Sequence, residues 1–207
     1  MIITSITPQK RNKYFFNIHI DHEYFCSLDD ETIYYMRLKE GMEVDTELLM
    51  EASKKSSYKK ALNYALNILS KSSKTKQELV NKLSEKEYNE DTIEAVIIKI
   101  NDLGYINDKQ YTENFIRNKA DTSQGLNKRT LKNKLIQKGV DKELIQQSLE
   151  NSDIDEYQNA MVVAEKKLRN LKGNGREKKS KLYAFLINKG FDYEVCSKVI
   201  NNIDITE

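Results

Sequence analysis

From Ala61 onward the apolar residues return every third or fourth position, the period of one helix face. Ala61, Leu62, Ala65, Leu66 and Leu69 form the first such stripe. Thr75-Lys76-Gln77-Glu78 then reads as a capping box, Thr75 capping a helix and Glu78 reaching back to it. Leu79, Leu83 and Tyr88 follow, and a third stripe runs Ile93, Val96, Ile97, Ile100. Three stripes with breaks between them predict a three-helix unit.

The pattern is written three times. Leu79, Leu83 and Tyr88 reappear as Leu131, Leu135 and Val140, and again as Leu182, Leu186 and Phe191, at offsets of 52 and then 51 residues. The last residue of each trio stands five ahead of another apolar one: Tyr88 and Ile93, Val140 and Ile145, Phe191 and Cys196. Five is the spacing of a hydrophobic staple, with Asn89, Asp141 or Asp192 as the N-cap between. Gly139 and Gly190 suit the left-handed position that ends a helix, where the first copy has Glu87. The first helices of the units fall at residues 61–69, 108–120 (Tyr111, Phe115, Ile116) and about 156–171 (Ala160, Val163, Ala164, Leu168).

Ahead of the repeats the period changes to two. Residues 13–28, KYFFNIHIDHEYFCSL, place Tyr14, Phe16, Ile18 and Ile20 on one face, then Cys26 and Leu28 after a turn at Asp21–His22. With MIITSIT before it, this predicts two or three antiparallel strands. A short helix is expected at about 30–40, ended by Gly41, and another from Asp45 as N-cap. The expected protein is mainly all-α, with a small β segment and two short helices over 1–58, then three-helix repeats over 59–107, 108–151 and 152–207. Units this small bury little alone, so they should stack into an elongated, curved array.

Composition narrows the class. The chain is 39% hydrophobic and 32% charged, with a mean hydropathy of −0.70. No apolar stretch approaches the roughly 20 residues that span a bilayer, and the start lacks the apolar core of a signal peptide, so cytoplasm is expected. Cys26 and Cys196 read as small buried hydrophobes. The net charge of +2 is spread unevenly: −3 over 1–58, zero over 59–108, +4 over 109–151 and +1 over 152–207. The middle repeat is the basic one.

Catalytic chemistry is not legible. GNGREKKS at 173–180 lacks the spacing of a phosphate loop and follows no strand. His19, His22 and Cys26 lie around one hairpin, without a fourth ligand, and read as strand and turn residues. The carboxylates are dispersed over helix faces. No enzyme activity, cofactor, metal or small-molecule substrate is expected. The helix–corner–helix outline suggests DNA reading, but the helix after the second corner carries Lys142 against Glu143 and Glu150, poor composition for a major groove.

The cations gather instead at the start of the second helices: Lys128, Arg129, Lys132 and Lys134 in the middle repeat, Arg176, Lys178, Lys179 and Lys181 in the last. Cations there oppose the helix dipole, by about 0.3–1 kcal/mol each when exposed. Two readings fit, an anionic partner or a solvated lysine-rich face.

Three tandem three-helix units behind a strand-containing segment resemble the RecX family of recombination regulators. The stretch LGYINDKQYTENFIRNKA, Gly125 and RTLKNKLIQKGVDKELIQQSL carry the likeness, in Asp108, Tyr111, Phe115, Arg117, Leu131, Leu135 and Lys138 to Val140. Asp21–His22, where relatives often have Asp-Gly, and Glu87, where glycine is usual, depart from it. The resemblance implies a non-enzymatic partner of the RecA recombinase. Such a protein binds RecA–DNA filaments along the helical groove and suppresses ATP hydrolysis and strand exchange, or favours disassembly. Arg117 joins the two lysine-rich clusters as a candidate contact with RecA or with single- or double-stranded DNA. The alternative is a helical-repeat DNA-binding protein acting without a recombinase. No membrane partner is expected.

Overall fold

The computed structural model describes residues 1–10, 12–120 and 126–205. Gly125 lies outside them. The chain divides into two compact bodies, Met1–Lys74 with Leu79–Ile106, and Thr75–Glu78 with Asn107 onward.

In the N-terminal body, β1 (Ile3–Gln9), β2 (Asn12–Ile20) and β3 (Glu23–Asp29) form an antiparallel sheet in that order. Ile18 pairs with Ile6 on one side and Cys26 on the other, which sets the apolar face read from the sequence at Ile18 and Ile20, whereas Tyr14, expected on it, is exposed and Phe15 is buried instead. That face packs with Ile3, Ile20, Leu28, Leu38 and Leu49. The β2–β3 turn holds both Asp21 (φ 50) and His22 (φ 70) in the left-handed region, as a two-residue hairpin requires. Thr4 Oγ1 accepts from the His22 N–H at 3.0 Å and holds the turn.

Helix α1 (Asp30–Tyr35) is capped by Asp29, whose Oδ1 accepts from the Thr32 N–H. The other oxygen of this buried carboxylate accepts from Ser56 Oγ at 3.0 Å, and Ser56 Oγ in turn accepts from the Asp29 N–H at 2.9 Å. Burial works against the Asp29 charge, but the bonds from Thr32 and Ser56 hold its pKa below the ordinary value.

Ser56 belongs to α2 (Thr46–Lys71), a single helix of 26 residues. The second short helix and the repeat's first helix, expected as separate elements, are one. Residues 52–60, ASKKSSYKK, contain no glycine or proline to break it, and Ser53 and Ser56 bond back to β3. Residue 58 lies inside this helix. Asp45 caps it, as expected. Helix α4 (Glu90–Asp102) packs on α2, and Ala61, Ala65, Leu79, Leu83, Val96 and Ile100 are fully buried.

The C-terminal body contains the first turn of α3 (Lys76–Ser84) and helices α5 (Asp108–Ala120), α6 (Lys128–Gln137), α7 (Lys142–Glu150), α8 (Glu156–Leu168), α9 (Gly175–Lys189) and α10 (Tyr193–Asn202). Its two apolar clusters centre on Leu131, Leu135 and Ile145, and on Leu182, Leu186 and Cys196.

The corners repeat in detail. Gly139 (φ 74) and Gly190 (φ 94) are left-handed, and so is Glu87 (φ 62) in the first copy. Each donates its N–H three residues back, while Tyr88, Val140 and Phe191 donate five back, the signature of a Schellman end. Asn89 and Asp141 cap the helices that follow; Asp192 holds the N-cap position but makes no side-chain bond there.

The corners also receive the starts of other helices. Thr75 Oγ1 donates to the Lys138 carbonyl at 2.6 Å, and Asn127 Nδ2 to the Lys189 carbonyl at 2.7 Å. Beside each bond a backbone N–H meets a carboxylate: Lys76 N–H to Asp108 Oδ1 at 2.9 Å, Lys128 N–H to Glu156 Oε1 at 2.8 Å. A helix start thus donates to an orphan carbonyl at a helix end and takes an acid at its own orphan N–H groups. At Gly139 the fit leaves no room, since a Cβ there would overlap the Gln77 side chain.

Gly139→Ala should therefore cost more than the about 1–2 kcal/mol of a left-handed alanine alone. Gly41→Ala, at φ 79 with nothing within 4 Å, isolates the backbone term. Urea unfolding of both variants checks this, with a larger loss expected for Gly139→Ala.

Candidate partner-binding surface

The candidate cations are spread over α5, α6 and α9, with Arg129 of α6 close to the Gly190 corner that ends α9. Arg117, exposed on the last turn of α5, donates to Asn114 Oδ1 at 2.6 Å. It lines an open cavity of about 500 Å³ with Lys109, Glu113, Leu144 and Asp153, to which α6 contributes nothing. On α6, Lys128 and Lys132 share a face at i, i+4 spacing. Arg129 flanks that face, Lys134 lies on the opposite flank, and Lys132 Nζ donates to Gln146 Oε1 at 3.2 Å. Helix α6 has no acid in its own first turn. Glu156 supplies one from α8, offsetting much of the dipole penalty on Lys128 and Arg129.

On α9, Lys178 and Lys181 lie on one face and Arg176 and Lys179 on another. The two clusters differ in placement. Asn127 caps α6 twelve residues before Gly139, whereas Asn174 caps α9 sixteen before Gly190. Helix α9 has one extra turn, and Arg176 and Lys178 belong to it. Glu177, within that turn, is 3.9 Å from Lys181 Nζ.

The exposed face of α7 is neutral to acidic, Gln146 Nε2 donating to Glu150 Oε1 at 2.6 Å, while Ile145 and Leu149 are buried. That composition is poor for following a phosphate backbone. Among the described residues no group of three or more His, Cys, Asp or Glu could hold a metal, and no helix is long and apolar enough to cross a membrane. Cys26 and Cys196 are buried free thiols; burial pushes Cys26 up to about 11, outside the reactive range.

Two lysines outside the sequence-derived list have the most specific surroundings. Lys138 Nζ lies 2.6 Å from Glu78 Oε1, and 5.6 and 6.0 Å from the ring centres of Tyr111 and Phe115. Burial disfavours its charge, but hydrogen bonds to Glu78 and Tyr111 raise its pKa. Lys189, 51 residues on, holds the matching place before its corner, with Nζ 5.6 Å from the centre of Phe185. Lys167 of α8 stands over the same ring at 5.1 Å. The sequence signal was available: residues 165–189 carry nine lysines and arginines against two glutamates.

A small antiparallel sheet followed by tandem three-helix repeats, joined through helix starts and glycine corners, defines the class as a helical-repeat protein. Four family models match the chain: the Regulatory protein RecX N-terminal domain at residues 1–45, and the first, second and third RecX three-helix domains at 61–99, 107–149 and 154–200. The regulatory protein RecX of Clostridium perfringens (strain 13 / Type A) is 36% identical, covering 99% of this chain and 97% of its own length. That of Clostridioides difficile (strain 630) is 33% identical over 98% and 95%. A crystal structure of RecX from Lactobacillus salivarius superposes with a TM-score of 0.64 at 31% identity, covering 72% of this chain and 98% of that one. The chain belongs to the RecX family of regulatory proteins.

Glu78→Gln keeps the cap but removes the charge facing Lys138, and should destabilise the C-terminal body by about 1–2 kcal/mol. A lysine with a raised pKa contributes fully below its ordinary value and loses the contribution only as pH climbs through the raised one. The difference between variant and parent should thus stay constant from about pH 6 to about pH 9, measured by urea unfolding.

Proposed function

We propose that this chain is a non-enzymatic, cytoplasmic regulator of DNA recombination and repair. It binds the RecA recombinase and RecA–single-stranded DNA filaments, and it modulates, mainly by inhibiting, their ATP hydrolysis and strand exchange. Membership of the RecX family over nearly the whole chain carries this reading, since the relatives are named regulatory proteins. The contacts assigned to it are Arg117, the α6 cations Lys128, Arg129, Lys132 and Lys134, and the α9 cations Arg176, Lys178, Lys179 and Lys181. Arg129 is exposed and Lys128 and Lys132 partly so, at a place where the charge costs little because Glu156 offsets it.

A second reading, a DNA-binding repeat protein acting without a recombinase, is favoured by the cationic excess of residues 165–189.

The direct experiment adds the protein to its cognate RecA, ATP and single-stranded DNA. ATP hydrolysis and strand exchange should both fall as the protein approaches stoichiometry with the recombinase. Unchanged rates at excess protein would remove the proposal. Arg129→Glu with Lys132→Glu, which spares the Lys128 backbone, should weaken inhibition about tenfold with helicity intact; a score like the parent's leaves α6 as a solvated face.

A further inference from the structure

We propose that one face of α9, completed by Lys167 of α8, is a binding site for the backbone of single-stranded nucleic acid. Lys178, Lys181, Phe185 and Lys189 follow one another at spacings of three, four and four, so they form a single stripe on the helix. From Lys178 to Lys189 it runs about 16 Å at the α-helical rise. The inference deepens the filament reading, on which its biological setting rests, and is tested apart from it.

Three observations build the site. The segment is strongly cationic, nine against two over residues 165–189, and its only acid on α9, Glu177, stands 3.9 Å from Lys181 with both side chains more than half exposed, a weakly coupled pair. The cations are held from several sides. Lys181 Nζ donates to the Lys172 carbonyl at 3.1 Å, and the ammonium groups of Lys167 and Lys189, from different helices, flank one aromatic ring. The Lys189 carbonyl is fixed independently by Asn127.

The third observation compares the two corners. Lys138 and Lys189 occupy matching positions, each over an aromatic ring. Lys138 is neutralised within the fold by Glu78 at 2.6 Å. The residue matching Glu78 is Thr130, and among the described residues no carboxylate lies within 4.0 Å of Lys189 Nζ. The same lysine is thus satisfied at one corner and left facing solvent at the other.

Lysines lining a path, with a partly buried ring among them, are the composition of single-strand grooves: the cations track the phosphates and the open part of the ring meets an unstacked base. A duplex keeps its bases stacked inside and would make no use of Phe185. A protein surface able to engage three or more lysines would have to be densely acidic, and it is tested as the alternative outcome.

The experiment measures fluorescence anisotropy of a labelled oligothymidylate of about 20 nucleotides with the full chain and no recombinase. Saturable binding at low salt is expected, weakening steeply as salt rises. Lys181→Gln with Lys189→Gln should lower affinity at least about tenfold and reduce the salt slope by about 1.4, or 0.7 per lost phosphate contact. Phe185→Leu, which keeps an apolar side chain against the α8–α9 packing, should cost at least about fivefold. Lys54→Gln with Lys99→Gln removes equal charge from exposed positions of α2 and α4, outside the assigned contacts, and should change affinity less than about twofold. Absence of saturable binding overturns the site and leaves an acidic protein as the occupant. Equal losses from the Lys54/Lys99 and the α9 pairs, or a duplex of the same sequence binding as tightly, overturn it as well. A chain that inhibits the recombinase yet ignores the oligonucleotide sinks this inference alone; one that binds DNA without affecting the recombinase sinks only the function proposed above.

Discussion

The bond from a helix-start side chain to the carbonyl just before a glycine corner organises the C-terminal body. Thr75 makes it to Lys138 and Asn127 to Lys189, at 2.6 and 2.7 Å. A helix end leaves carbonyls without partners and a helix start leaves N–H groups without partners. Placing one against the other, with Asp108 or Glu156 closing the second deficit, satisfies both from within the chain. The corner must be left-handed to expose that carbonyl, and at Gly139 it must also lack a Cβ because Gln77 lies against it. The glycine is therefore required by a neighbour as much as by its own backbone.

The same geometry decides which charges remain for other work. Lys128 and Arg129 stand where a dipole should repel them, yet Glu156 makes the position tolerable. Lys138 is drawn into the fold by Glu78 and two rings. Solvent-facing cations of the two lysine-rich clusters include Arg129 on α6 and Arg176, Lys179 and Lys181 on α9. Net charge conceals this, since the last repeat is nearly neutral as a whole while residues 165–189 carry nine lysines and arginines against two glutamates.

Much of the local structure was legible. The staple spacing placed the corners, the capping box named Thr75 and Glu78, and the glycines at 139 and 190 announced their left-handed backbone. These signals span a few residues and follow from steric rules that hold in any context. The continuity of α2 was not legible, because its middle, ASKKSSYKK, is polar, and what keeps it helical is contact of Ser53 and Ser56 with β3. Asp108 stood out through family resemblance, but its partner, the Lys76 N–H, is 32 residues away. The candidate surface was read from charge counts alone. That found Arg176 and Lys179 together with Lys178 and Lys181 but missed that they face different ways, and it passed over Lys189, whose ring partner stands four residues back and which, among the described residues, has no carboxylate within 4.0 Å.

The extra turn of α9 has a further meaning. Because the joint is anchored at the corner end, the helix is free to lengthen at its start. Four residues are close to one full turn, so Leu182 and Leu186 keep the burial of Leu131 and Leu135 while the start advances by about 6 Å. A length change that would wreck a core from inside a helix here adds only outer surface, and what fills it is Arg176, Glu177 and Lys178. The repeat thus offers a graded way to alter reach: growth in whole turns at one end, with the register of everything behind it untouched.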